Sequence, residues 1–140
     1  MRITLDTNVL ISATFWKGYS YEVIQLVLSN TIENVISPEI LEEYNRILNS
    51  KRISDSVQNK KLAVQKAVNF IISNSIIVKP EFKVDIIKED PADNRILECA
   101  ISGKSEYIIT HDNHLLKNEI FEGIRIITPK DFLEILFGKN

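Results

Sequence analysis

Five short runs rich in β-branched residues, each closed within a few residues by a turn or helix-start signal, constrain the fold more than any other feature of this chain. They are Ile3 to Leu5, Asn34 to Ile36 ahead of Ser37-Pro38, Ile76 to Val78 ahead of Pro80, Tyr107 to Ile109 ahead of Thr110-His111-Asp112, and Ile124 to Ile127 ahead of Thr128-Pro129. Short apolar runs of this kind suit strands buried on both faces of a parallel sheet. With 23 isoleucines among 140 residues, the chain has ample material for them. Helical spacing fills the intervals: Glu22 to Leu28, Glu39 to Leu48, Val57 to Ile72, Ala92 to Ile101 and Asp131 to Phe137. Ser37-Pro38, Asp90-Pro91 and Thr128-Pro129 each set a capping side chain before a proline at a first helical position. Strands alternating with helices predict a three-layer α/β/α sandwich around a central, mostly parallel five-stranded sheet, with residues 1–140 forming one domain. Such sheets bind ligands beyond the carboxyl ends of their strands.

The charge balance narrows the function. Seventeen Lys and Arg against nineteen Asp and Glu give a formal charge of -2. A broadly basic nucleic-acid surface is therefore excluded, and any role on nucleic acid must rest on a local site. The amino terminus turns polar at Asp6 before a signal-peptide core can develop, and no apolar run has membrane-spanning length, so a cytoplasmic protein with no membrane partner is expected. The lone Cys99 offers neither an internal disulfide nor a thiolate cluster, and reads as a small core residue.

Several carboxylates stand where the fold would bring them together. Asp6 and Asp112 directly follow strand runs, and if those strands are parallel neighbours their carboxylates meet at one sheet edge. Capping of the following short helices is the competing explanation for each. On a helical wheel Asp93 falls about 20° from the centre of the stripe Ile96, Leu97, Ala100 and Ile101, so it points inward. Asp90, before Pro91, reads as a cap. In the helix containing Glu39 to Leu48, Glu42 lies opposite the apolar stripe and Glu43 on its flank, so Glu43 is the one placed to reach a cleft. Two carboxylates about 4 Å apart repel by roughly 4 kcal/mol at an effective dielectric near 20, a large part of a domain's stability of about 5 to 15 kcal/mol. A cluster of them must hold a cation or stay partly protonated, and oxygen donors suit Mg2+ or Mn2+. An acidic pocket with such an ion suits attack on a phosphodiester. There is no glycine-rich phosphate loop, no Gly-x-Ser-x-Gly and no His-Glu-x-x-His.

Four segments in order resemble the PIN-domain family: Leu5-Asp6-Thr7-Asn8, Ser37 to Tyr44 with its acid at Glu43, Asp90-Pro91-Ala92-Asp93-Asn94-Arg95, and Tyr107 to Leu116 with Asp112. The resemblance implies a metal-dependent ribonuclease, often the toxin of a prokaryotic toxin-antitoxin pair. It implies that Asp6, Asp93 and Asp112 ligate Mg2+ or Mn2+, that Glu43 ligates a second ion or orients water, and that Asn8 and Thr110 hold the carboxylates. It implies as partners an RNA substrate, single-stranded or structured, a cognate antitoxin and a second copy in a homodimer. His111 and His114 stand where the family often has glycine and a further aspartate, and read first as surface or capping groups with metal ligation as the alternative. Trp16, Tyr19 and Tyr21 read as packing residues before base-stacking ones. Lys51, Arg52, Lys60, Lys61 and Lys66 read as a solvated face that would also steer RNA. Two other readings remain open: an aspartyl phosphatase using Asp6 as nucleophile, which lacks a second aspartate two residues on, and a catalytically idle module binding RNA or protein.

Overall fold

The computed structural model describes residues 1–54 and 60–138. Each of the five expected strands forms, within a residue of its expected bounds: β1 (Arg2–Leu5), β2 (Glu33–Ile36), β3 (Ser75–Ile77), β4 (Tyr107–Ile109) and, last in the sheet-forming sequence, β6 (Ile124–Ile127). A further strand, β5 (Ile120–Phe121), precedes β6 and makes six among the described residues, in the order β3-β2-β1-β4-β6-β5. All pairings are parallel except β5 with β6, a hairpin turned at Glu122-Gly123, both at positive φ as a two-residue primed turn requires. Two residues are too few to leave a periodic signal, which is why the sequence predicts five strands.

The helices are α1 (Thr7–Phe15), α2 (Tyr19–Leu28), α3 (Pro38–Leu48), α4 (Lys51–Ser54), α5 (Lys60–Ser73), α6 (Asp93–Ser102), α7 (Asn113–Leu116) and α8 (Pro129–Phe137). Ser37 and Thr128 cap α3 and α8 as their sequences predict, accepting from the Ile40 and Asp131 amides. The part of the expected Val57 to Ile72 helix before residue 60 lies outside the described residues, as do the side chains of Arg52, Lys60 and Lys61 in the basic run. Helix α1 carries no amphipathic stripe because Thr7, Val9, Leu10, Ile11 and Ala13 are all buried and it packs against both α2 and α3. A helix apolar on most sides is one that periodicity misses.

Helix α6 crosses β2, β1 and β4, and its close approach requires Gly103, where a Cβ would overlap the Val35 side chain on β2. Cys99 is fully buried, its thiol on the Val35 carbonyl, and burial pushes its pKa up to about 12. It is an inert core residue. The aromatic cluster differs from expectation. Trp16 (56% exposed) and Tyr19 (51%) lie outward, because they border the short connection between α1 and α2 rather than a packed face. No helix among the described residues is long and apolar enough to cross a membrane.

Candidate metal centre at the sheet edge

Strand order reverses between β1 and β4: β2 and β3 continue to one side of β1, β6 and β5 to the other side of β4. Such a switch point opens a crevice at the carboxyl edge. The register Leu5 to Ile109 brings the next residues, Asp6 and Thr110, out side by side at that edge. Their amides donate to Ile109 and Ile127, so both chains stay paired to the last residue before the crevice.

Thr110 is fully buried and its hydroxyl serves both acids. It donates to Asp6 Oδ2 at 2.6 Å and accepts from the Asp112 amide at 2.9 Å. Asp112 in turn caps α7, its Oδ1 accepting from the His114 amide at 2.8 Å. Asp6 stands at the cap position of α1 but makes no side-chain capping bond. Capping therefore accounts for Asp112 in part and not for Asp6. Burial raises the Asp6 carboxyl from 3.8 to about 6 against the opposing pull of the Thr110 hydroxyl, with smaller upward contributions from the charges of Asp112 and Glu43.

Asp93, the first residue of α6, points inward as the wheel arithmetic predicts and is only 6% exposed. Its Oδ2 is buried and, among the described residues, has no hydrogen-bond partner. Burial, then the adjoining Asp112 carboxyl, then the charges of Asp112, Asp90 and Asp6 raise its carboxyl to about 8. Asp93, Asp112 and His114 each offer a donor atom, all within 4.8 Å of one another. Donors held about 2.1 Å from one octahedral ion lie roughly 3 to 4.2 Å apart, so a divalent cation fits with little rearrangement. The unpartnered oxygen supports the same fit, since a buried carboxylate without donors must take up a proton or a cation.

The other expected residues are distributed around this group. Asp6 lies outside the three-donor set and within electrostatic reach of Asp93 and Asp112. Glu43 is half-buried on the flank of α3, its charge felt at Asp6, with Arg46 4.0 Å away, whereas Glu42 is exposed. Glu43 owes its position to the neighbouring Tyr44, fully buried, whose hydroxyl bonds Thr14 at 2.7 Å and locks α3 onto α1. Asn8 is exposed in the first turn of α1 and, among the described residues, no hydrogen bond joins it to a carboxylate, whereas Thr110 bonds Asp6. His111 is exposed.

Sequence reasoning missed the residues that fix α6. Asn94 Oδ1 accepts from the Ile86 and Ile87 amides at 2.9 Å, and its Nδ2 donates to the Ile87 and Pro91 carbonyls. Glu98, buried, accepts from the Val84 amide at 2.7 Å and pairs with Arg95 at 2.8 Å, while Arg95 donates to the Val84 carbonyl. Together they clamp the 79–91 connection against the helix that presents Asp93. Polar residues at 94, 95 and 98 beside a buried stripe were the available signal.

A family model described as PIN domain matches residues 2–114. Among solved structures, the chain is similar to one from VapBC2 of Rickettsia felis bound to a DNA fragment from their promoter. The TM-score is 0.61 at 17% identity, covering 90% of this chain and 97% of that one. No curated protein matches the chain.

Proposed function

The chain belongs to the PIN-domain family, and from that premise we propose that it is a divalent-metal-dependent endoribonuclease that acts as the toxin of a toxin-antitoxin pair. PIN domains are generally nucleases. The observation that carries the metal-dependent reading is the buried Asp93 carboxyl, which has an oxygen without a donor among the described residues and lies beside Asp112 and His114 at the sheet's switch point. Asp93 and Asp112 would hold Mg2+ or Mn2+, with Asp6 close enough for its charge to act on the same site. A cation bound there supplies Lewis acidity and an activated water for attack on a phosphodiester. The chain's own groups do the rest. Thr110 keeps the Asp6 and Asp112 carboxylates aimed at the crevice, and Glu43 receives the proton of the attacking water or orients that water. A bound cation would offset the repulsion that the carboxylates otherwise present to RNA phosphates.

The substrate is single-stranded or structured RNA in the cytoplasm. The likeness to a chain of VapBC2, bound to promoter DNA, supports an antitoxin partner, and the outward Trp16 and Tyr19 offer apolar surface for a homodimer. Incubating the purified protein with labelled RNA in Mn2+, Mg2+ or EDTA tests the activity. Cleavage that requires the metal and is lost in a folded Asp6→Asn variant is expected; a folded Asp6→Asn protein with full activity contradicts the assignment. Growth arrest on expression, relieved by Asp6→Asn, tests the toxin role.

A further inference from the structure

We propose that the imidazole of His114 is itself a ligand in the metal centre and makes this chain select a transition ion such as Mn2+ over Mg2+. The inference rests on the metal-nuclease reading above and concerns the identity of its ion.

Three features place the ring in the centre rather than beside it. The backbone at residue 114 is pinned from both sides, its amide on Asp112 Oδ1 at 2.8 Å and its carbonyl accepting from Asn118 Nδ2 at 3.0 Å, so the ring starts from a fixed point next to the carboxylates. His114 Nδ1 lies 3.5 Å from Asp112 Oδ1, beyond the 2.7–3.2 Å of an N–H to oxygen hydrogen bond. The contact is an ion-pair distance rather than a hydrogen bond, a separation that two donors on one ion would also have. Finally, a ring nitrogen, an Asp112 oxygen and an Asp93 oxygen lie within 4.8 Å of one another, and Asp93 brings the unpartnered buried Oδ2. Capping explains the His114 amide contact and the ion pair explains the ring's approach to Asp112, but neither explains why a second, buried acid, Asp93, shares the same 4.8 Å group.

The chemistry of this donor set then decides the ion. Mg2+ favours oxygen donors and sheds water reluctantly, whereas imidazole suits first-row transition ions. Carboxylates and one imidazole form a mixed set in which replacing the nitrogen by oxygen shifts preference back toward Mg2+. The half-exposed ring leaves room on its side for water or a phosphate oxygen.

Electron paramagnetic resonance of Mn2+ titrated into the full-length protein tests this independently of catalysis. Nitrogen modulation from a directly bound 14N is expected in the wild type and absent in His114→Asp and His114→Gln. The ratio of Mn2+ to Mg2+ affinity, from competition, is expected to fall by roughly tenfold or more in His114→Asp. Circular dichroism checks that the variants fold, and the wild-type spectrum bears on the claim even where a variant does not. Wild-type Mn2+ in an all-oxygen environment, or an unchanged affinity ratio in folded variants, overturns the inference. If that all-oxygen Mn2+ is lost in Asp93→Asn, the metal centre stands without His114. If the wild type binds no Mn2+ or Mg2+, both readings fall.

Discussion

Replacing Thr110 by valine keeps the volume of a fully buried side chain and deletes only its hydroxyl. Two hydrogen bonds disappear: the 2.6 Å donation to the Asp6 carboxylate and the 2.9 Å acceptance from the Asp112 amide. A hydrogen bond to a charged group contributes about 1.5 to 3 kcal/mol and a neutral one about 1 kcal/mol, so the loss should total roughly 2 to 4 kcal/mol. At about 3 to 4 °C per kcal/mol for a domain of this size, the melting temperature should fall by roughly 6 to 15 °C. The functional effect should exceed the thermal one, because Thr110 is what holds the Asp6 carboxyl down against burial and aims Asp112 at the crevice. Removing such a support typically weakens metal binding about 10- to 100-fold. Thr110→Ser restores the hydroxyl and should recover most of the affinity. Thermal melts and Mn2+ titration calorimetry on the two variants read both effects. A valine variant that melts within about 2 °C of wild type and binds Mn2+ equally well would refute the claim that this hydroxyl organises the site.

Two further outcomes follow from the same geometry. Asp6 and Asp93 hold their protons more tightly folded than unfolded, at about 6 and about 8 against an ordinary 3.8, so their contribution to stability is complete below about pH 4 and is lost as pH rises through 6 and then 8. In EDTA the melting temperature should therefore fall between pH 5 and pH 8.5, and saturating Mn2+ should flatten that fall; a metal-independent profile would count against a cation in this pocket. Asn94→Ala leaves the Ile86 and Ile87 amides without acceptors, for a loss of about 3 kcal/mol, and should expose the 79–91 connection to limited proteolysis before the rest of the chain is cut; equal protease resistance would show that the clamp is unnecessary.

The parts of the fold that repeat a pattern were legible in the sequence. Strands buried on both faces leave short β-branched runs, and Ser37-Pro38 and Thr128-Pro129 mark their helices by side chains that act within three residues. What escaped was set by tertiary contact. Helix α1 shows no stripe because α2 and α3 enclose it, and β5 is only two residues long. At the site, Asp93 could be placed from its angle on the α6 wheel, and the meeting of the Asp6 and Asp112 segments at one edge followed from β1 and β4 being parallel neighbours. The clamp by Asn94 and Glu98 depends on how the 79–91 connection folds back onto α6, and the approach of His114 to Asp93 on how α7 meets α6, neither of which periodicity encodes.

The most direct test of the metal centre is single-turnover RNA cleavage by Asp93→Asn beside wild type in Mn2+, with the melting temperature of each metal-free protein at pH 8 measured in parallel. Asparagine removes the buried charge that has no partner in the absence of a cation. The variant should melt no lower than wild type and yet cleave at least about a hundredfold more slowly, the scale of losing a preorganised charged group. Wild-type cleavage rates in a stable Asp93→Asn protein would contradict the account.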